Sequence, residues 1–227
     1  MQNSNQSIIK NLFAAGVVFT ALMLAISAFG WCYLPAGSEI PAHWNASGEV
    51  DRYTSKFEGL LLWPLVSAGL FALFMLVAKI EPRLQNLKQS AKAFTAVSIC
   101  VGGILLLIHA TTVAVASGWE INITTVVAAA LGVLFLVTGN YMGKIRSNFS
   151  FGVRTPWTLS SELSWNKTNR LAGKFLMALG LLTLILAFTT TSLFLICVCG
   201  GLLLLIVAWS CVYSYHIWRN DPKSQQA

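Results

Sequence analysis

Charged residues are scarce in this sequence of 227 residues. Asp, Glu, Lys and Arg together make up 10% of it, whereas hydrophobic residues make up 56% and the mean hydropathy is +0.69. Soluble domains carry roughly 25% charged residues. The composition therefore excludes an ordinary soluble domain and favours a membrane protein.

The sequence also lacks the residue patterns that hold metals or catalyse reactions. Its five cysteines show no CxxC motif and no paired spacing, so neither a disulfide framework nor a metal site is expected. Its three histidines, His43, His109 and His216, form no HExxH motif and no Ser/His dyad, and the apolar runs contain no paired aspartates. We therefore expect no catalytic residue, metal or cofactor, and predict that the protein is not an enzyme.

Long apolar runs are abundant. About 20 apolar residues span a bilayer, and by that measure six spans are predicted, at 12–34, 59–80, 93–117, 122–143, 174–190 and 192–216. The fold class is therefore all-α, a polytopic membrane helix bundle with six transmembrane helices. The three threonines at 189–191 leave room only for a tight turn, so we expect the last two spans to form a helical hairpin.

Basic residues are unevenly distributed between the two ends of these spans. Thirteen of the fifteen Lys and Arg residues lie at the N-terminus, in the connections 79–92 and 144–174, and in the C-terminal tail, whereas Arg52 and Lys56 lie on the other side. Because cytoplasmic loops carry an excess of Lys and Arg, both termini are predicted to be cytoplasmic. Lys and Arg residues that are confined to the termini and to the connections between spans indicate membrane orientation. Direct nucleic-acid binding is therefore not expected. The connection 81–92 is interpreted as a solvated turn.

The extracellular connection 35–58 is dense in polar and aromatic residues. Asn45 to Gly48 has the composition of a turn, with Gly48 available for positive φ. The aromatic residues around the loop are typical of a belt at the lipid headgroups. Trp44, next to His43 in a proline-containing loop, fits a compact cap with a binding surface instead.

The cytoplasmic connection 139–174 carries six basic residues and one acid, Glu162. Thr155-Pro156 predicts a helix start that continues to about Lys174 and places Trp157 and Trp165 on one stripe. Such a helix would lie in the membrane interface, with its rings at headgroup depth. The alternative is that local turns hold Arg154 and aim it at Glu162 or at a ligand carboxylate.

Polar residues are sparse within the spans and are functional candidates by default. His109 lies in the third span, and Thr138 and Asn140 lie at the inner end of the fourth. These residues favour a second hypothesis, a small membrane transporter or a lipid- or peptide-handling protein. A histidine hydrogen-bonded to a neighbouring helix explains His109 equally well.

Two groups of residues carry a resemblance to a known family. In the cytoplasmic connection they are Gly139, Asn140, Lys144, Asn148, Gly152, Arg154-Thr155-Pro156-Trp157-Thr158-Leu159, Trp165, Thr168-Asn169-Arg170 and Gly173. These closely resemble the signature of the SdpI family, bacterial multi-pass immunity proteins against a sporulation-delaying killing peptide. In the extracellular connection they are Ile40-Pro41, His43-Trp44-Asn45, Gly48, Asp51 and Lys56. These resemble the small domain of unknown function that often precedes that signature.

The resemblance implies a bacterial plasma-membrane protein that confers resistance to a secreted killing peptide. Its expected partners are membrane lipids, an extracellular peptide toxin and a cytoplasmic repressor that the protein sequesters. The expected domains are an N-terminal membrane region, 1–92, with the extracellular loop 35–58, and an SdpI-like region, 93–227, with the cytoplasmic motif loop 139–174. The candidate cytoplasmic binding residues are Asn140, Lys144, Asn148, Arg154, Thr155, Trp157, Glu162, Trp165, Asn169 and Arg170. The candidate extracellular binding residues are His43, Trp44, Asn45, Asp51 and Lys56.

Overall fold

The computed structural model describes residues 3–223, with side chains from residue 6 onward. Its elements are α1 (Asn3–Tyr33), β1 (Glu39–Trp44), β2 (Val50–Ser55), α2 (Lys56–Ile80), α3 (Leu84–Gln89), α4 (Ala91–Ala116), α5 (Ile123–Met142), α6 (Pro156–Ser160), α7 (Glu162–Thr189) and α8 (Ser192–Arg219). Within the described residues, six helices are long and apolar enough to cross a membrane: α1, α2, α4, α5, α7 and α8. The all-α six-span bundle is confirmed, whereas the orientation of its termini stays a prediction.

The helices pack as two groups of three. Helices α1, α2 and α4 form one group, and α5, α7 and α8 form the other, with α4 and α5 in contact between them. Helix α4 packs on α1 and α2 and also on α5. The division of the chain after residue 92 therefore stays a prediction. Helix α7 ends at Thr189 and α8 begins at Ser192, and the two pack together around Leu179 and Leu195. The expected helical hairpin is confirmed.

Helices α5 and α7 approach so closely that their backbones touch at two places. A Cβ added at Gly139 would lie 2.6 Å from the carbonyl oxygen of Gly173, and one added at Gly132 would lie 2.9 Å from that of Gly180. The two glycines of each helix are separated by about two helical turns, so the contacts recur along one seam. Small residues permit this approach where no hydrophobic force drives helices together.

The connection between α1 and α2 contains an antiparallel β-hairpin that the sequence analysis did not predict. Strands β1 and β2 pair from Glu39 with Ser55 to Trp44 with Val50. The expected turn closes it, since the Gly48 amide donates to the Asn45 carbonyl at 2.9 Å and Gly48 has φ 87°. A Cβ added at Gly48 would lie 2.8 Å from Oγ1 of Thr124, so the tip reaches α5 in the other group of helices.

The predicted helix from Thr155 to Lys174 is wrong in one respect. Helix α6 ends at Ser160, Ser161 is extended with φ −136° and ψ 121°, and α7 begins at Glu162 and continues to Thr189. Ser161 caps the second helix, because its hydroxyl accepts from the Ser164 amide at 3.0 Å. The fifth span therefore begins about three turns earlier than the predicted residue 174.

Candidate functional site

The segment between α5 and α6, residues 143–155, is called the signature loop below. Its centre is Asn148, which is fully buried. Asn148 Oδ1 accepts from the amides of Ser150 and Phe151 at 2.8 and 2.9 Å, and its Nδ2 donates to the Arg146 carbonyl at 2.8 Å. One side chain thus replaces the backbone partners that an irregular loop lacks.

Residues near the start of α7 hold both ends of the signature loop. Asn169, 1% exposed, accepts from the Val153 amide at 2.7 Å through Oδ1. Trp165 is fully buried and donates from Nε1 to the Ile145 carbonyl at 2.9 Å. A Cβ added at Gly152, whose φ is 108°, would lie 2.8 Å from Asn169 Oδ1. Asn148, Trp165 and Asn169 therefore hold the loop in one conformation.

The loop continues into α6 through a capping box. The Thr155 amide donates to Oγ1 of Thr158 at 2.9 Å, and the Thr158 amide donates to Oγ1 of Thr155 at 3.1 Å. Oγ1 of Thr155 also lies 2.9 Å from the Ser214 hydroxyl of α8. This contact fixes the start of α6 against the end of the last span. It also explains why Thr155 is buried.

The connection 81–90 holds the signature loop and helix α6 from the other group of helices. Glu81 Oε1 accepts from the Phe149 amide at 2.9 Å, and its Oε2 accepts from the Ser150 hydroxyl. Arg83 Nη2 donates to the Leu159 carbonyl at 2.8 Å, and Asn86 Nδ2 donates to the Ser147 carbonyl at 2.7 Å. The interpretation of this connection as a solvated turn is therefore wrong. The sequence feature that could have indicated this contact is Glu81, because the chain contains only eight acidic residues.

We expect Glu81→Ala to loosen the signature loop. The substitution leaves the partly buried Phe149 amide without its carboxylate partner, and a hydrogen bond to a charged group is worth about 1.5–3 kcal/mol. The apparent unfolding temperature in detergent should fall, and protease cleavage within 143–155 should become faster. Glu120→Ala, at an exposed position, is the matched control. Equal cleavage rates in the two variants would contradict this role for Glu81.

The C-terminal tail forms a further contact that the sequence analysis missed. The Ser161 hydroxyl donates to Oδ2 of Asp221 at 2.6 Å, and the Lys223 amide donates to Oδ1 at 3.1 Å. The Ser161 hydrogen bond, aided by the amide and the charge of Lys223, holds the pKa of Asp221 below its ordinary value. The carboxylate therefore ties the end of α8 to the break between α6 and α7.

The ten candidate cytoplasmic residues divide by exposure. Asn148, Thr155, Trp165 and Asn169 are buried, and Trp157 is half-buried with its ring centroid 5.3 Å from that of Tyr215. The other five are exposed: Asn140, Lys144, Arg154, Glu162 and Arg170. Burial of Trp165 excludes a stripe with both tryptophan rings at headgroup depth. Among the described residues no ion pair joins Arg154 to Glu162, and Arg154 Nη1 donates instead to the Phe149 carbonyl.

The β-hairpin brings the extracellular candidates together on one element. His43 Nδ1 lies 2.5 Å from Asp51 Oδ1, with 59% and 43% of the two side chains exposed. Asn45 Oδ1 accepts from the Ser47 and Glu49 amides at 2.9 and 3.0 Å and so builds the turn. Trp44 is half-buried at the end of β1.

Lys56 has a structural contact in the same region. Its Nζ donates to the carbonyls of Trp31 and Leu34 at 2.7 and 2.6 Å, at the C-terminal end of α1. It also lies 5.0 Å from the ring centroid of Trp31. A lysine is favourable at a helix C-terminus because carbonyl groups are unpaired there. His43, Trp44 and Asp51 are therefore more available to a ligand than Lys56.

The intramembrane histidine is part of a hydrogen-bonded contact between helices. His109 is fully buried, and its Nε2 lies 3.0 Å from Oγ of Ser27 on α1. Ser27 also lies within donor distance of the Leu60 carbonyl on α2, at 2.6 Å. The contact joins α1, α2 and α4, and it agrees with the interpretation of His109 as a residue bonded to a neighbouring helix.

The two polar regions coincide with the two parts of the chain that match known families. The SdpI/YfhL protein family matches residues 144–214, which contain most of the signature loop, α7 and much of α8. A domain of unknown function, DUF1648, matches residues 18–68, which contain the β-hairpin. No solved structure matches the chain at a significant level.

A curated relative aligns along almost the whole chain. It is the Immunity protein SdpI of Bacillus subtilis (strain 168), 27% identical over 214 residues that cover 93% of this chain and 97% of that protein. The alignment includes the six apolar helices and both polar regions, as expected of a multi-pass plasma-membrane protein. The chain therefore carries an SdpI/YfhL-family region at residues 144–214 with a DUF1648 region ahead of it, and it is similar along almost its whole length to an SdpI immunity protein.

Proposed function

We propose that the protein is an integral membrane immunity protein that confers resistance to a secreted killing peptide. The observation that carries this proposal is the end-to-end similarity to an immunity protein, which includes both polar regions. The similar protein is named for immunity and not for catalysis, so we propose no enzymatic activity.

The β-hairpin is the proposed meeting place with the toxin. The excess of Lys and Arg at the other end of the bundle favours an extracellular position for it. Its exposed side chains include an aromatic ring, Tyr53, which is 53% exposed, and the paired His43 and Asp51. Aromatic and charged groups held on a rigid scaffold lose little conformational entropy on binding. His43, Trp44, Asn45 and Asp51 are therefore the proposed ligand-binding residues on this face.

A second proposed contact surface lies at the opposite end. Lys144 and Arg170 are exposed beside the signature loop, and Lys144 Nζ donates to Asn140 Oδ1 at 3.3 Å. Glu162 at the start of α7 and Trp157 in α6 lie in the helices that follow the signature loop. A basic surface of this kind suits the acidic face of a cytoplasmic protein, and a sequestered repressor is the partner we propose.

The experiment is a survival assay with sensitive cells challenged by a sporulation-delaying killing peptide. Cells that express the wild-type chain should survive. Trp44→Ala and Asp51→Asn should each reduce survival at least about fivefold, because the loss of one well-packed interface side chain costs more than about 1 kcal/mol. Trp119→Ala is the control, since Trp119 is 66% exposed in the short connection between α4 and α5. Failure of the correctly inserted wild-type chain to protect would contradict the proposal for this peptide.

A further inference from the structure

A cavity of about 330 Å³ lies beside the signature loop, between helices α5, α7 and α8. Ala172 and Leu176 line it from α7, and Leu203 and Val207 line it from α8. Its lining is predominantly apolar. Arg154 carries the charge at its rim, next to Thr155.

The cavity extends along the membrane-spanning part of α8. The contact of Thr155 with Ser214 sets the level of its polar end. On α8 the lining runs from Leu203 to Cys211, a rise of about 12 Å. One leaflet of the hydrocarbon core is about 15 Å deep, half of the roughly 30 Å bilayer core. The cavity therefore fits within the depth of a single leaflet.

The cavity opens sideways toward the lipid. Val207 at its edge is 54% exposed, and Cys211, one turn nearer the polar end, is exposed as well. In a chain that crosses a membrane, exposed apolar side chains in mid-span face acyl chains. A molecule that enters this opening arrives from the bilayer.

Arg154 places a positive charge at the rim of the cavity. Its Nη1 bond to the Phe149 carbonyl orients the guanidinium, and within residues 3–223 no carboxylate forms an ion pair with it. Guanidinium groups bind phosphate through two parallel hydrogen bonds. A charge close to the hydrocarbon region is costly unless an anion accompanies it.

From the depth, the lateral opening and the unpaired arginine, we infer that this cavity is a binding site for one anionic phospholipid. One acyl chain lies along α8 from the polar end toward Leu203, and the phosphate lies against Arg154. The bound chain fills the space between α7 and α8 and braces the end of the last span. This site goes beyond the proposed immunity function, because resistance to a peptide does not require it.

The experiment is native mass spectrometry of the intact, detergent-purified chain with defined lipids added. Phosphatidylglycerol should be retained as one bound molecule, and phosphatidylcholine should be retained at least about tenfold more weakly. Arg154→Ala should weaken retention of phosphatidylglycerol about tenfold or more, because hydrogen bonds to charged groups are worth more than about 1.4 kcal/mol. Arg146→Ala, at an exposed arginine of the same loop that does not line the cavity, should stay within twofold of wild type.

A second variant tests the acyl part of the site separately. Val207→Trp places a large ring at the opening, on an exposed position where folding tolerates it, and should abolish retention while Arg154 is intact. Glycerol phosphate, which has the charge without the chain, should not bind measurably.

Three results would overturn the inference. Equal retention of the two lipids would show that the charge of Arg154 selects nothing. Tight binding of glycerol phosphate alone would identify a phosphate site without an acyl-chain site. Displacement of the phospholipid by an apolar peptide with a free C-terminal carboxylate would identify a peptide as the occupant.

Discussion

Replacing Asn148 by alanine is expected to unfold the signature loop while the six spans stay inserted. The side chain makes three hydrogen bonds within the loop, and it is fully buried. Its removal leaves the Ser150 and Phe151 amides without an acceptor, at a cost of about 2–6 kcal/mol for the two together. The loss is large because Asn148 is fully buried, and polar groups left without a partner at a buried position are costly.

Thermal unfolding in detergent and proteolysis of residues 143–155 measure this effect. Asn140→Ala is the matched control, since Asn140 is exposed and its Oδ1 accepts only a long bond of 3.3 Å from Lys144. Asn148→Asp should fall between the two, because a carboxylate can still accept from both amides but cannot donate to the Arg146 carbonyl. Equal stability of the two alanine variants would show that Asn148 has no structural role.

The signature residues divide into two sets with different roles. Asn148, Trp165 and Asn169 form hydrogen bonds to the loop backbone, and these contacts account for their buried polar groups. Arg154 and Arg170 remain exposed. The first set shapes the loop, and the second set is the part that can meet a ligand.

Local features of the sequence predicted the spans and several turns correctly. Hydropathy depends on each segment alone, so the six helices follow from composition. Thr155-Pro156 starts a helix and Asn45 to Gly48 forms a turn, because each depends on adjacent residues.

The features that the sequence did not predict depend on distant partners. The break at Ser161 accompanies a bond to Asp221, sixty residues later. Trp157 and Trp165 have helical spacing. This spacing places the two rings on one stripe only if the helix between them is unbroken. The contact of Glu81 with Phe149 joins segments 68 residues apart.

Gly139→Val is expected to have the second large effect, by separating α5 from α7. A Cβ at this position would lie 2.6 Å from the Gly173 carbonyl oxygen and 2.8 Å from the Met177 amide nitrogen. Both are backbone atoms, so no rotamer change relieves the overlap and a helix must move. Overpacking against flexible side chains costs about 1–3 kcal/mol, and we expect about 3 kcal/mol or more against backbone.

The signature loop follows α5 at one end of the seam between α5 and α7. Separation of these two helices should therefore disturb the loop as well as lower the stability. The apparent unfolding temperature of Gly139→Val in detergent should fall, and cleavage within 143–155 should rise as in Asn148→Ala. Gly103→Val supplies the control, because a Cβ there meets nothing within 4 Å although Gly103 also lies inside a span. Valine carries the same cost in helix propensity at both sites, so the difference between them measures the seam alone. Equal losses would mean that α5 and α7 can move apart without disturbing the loop that they support.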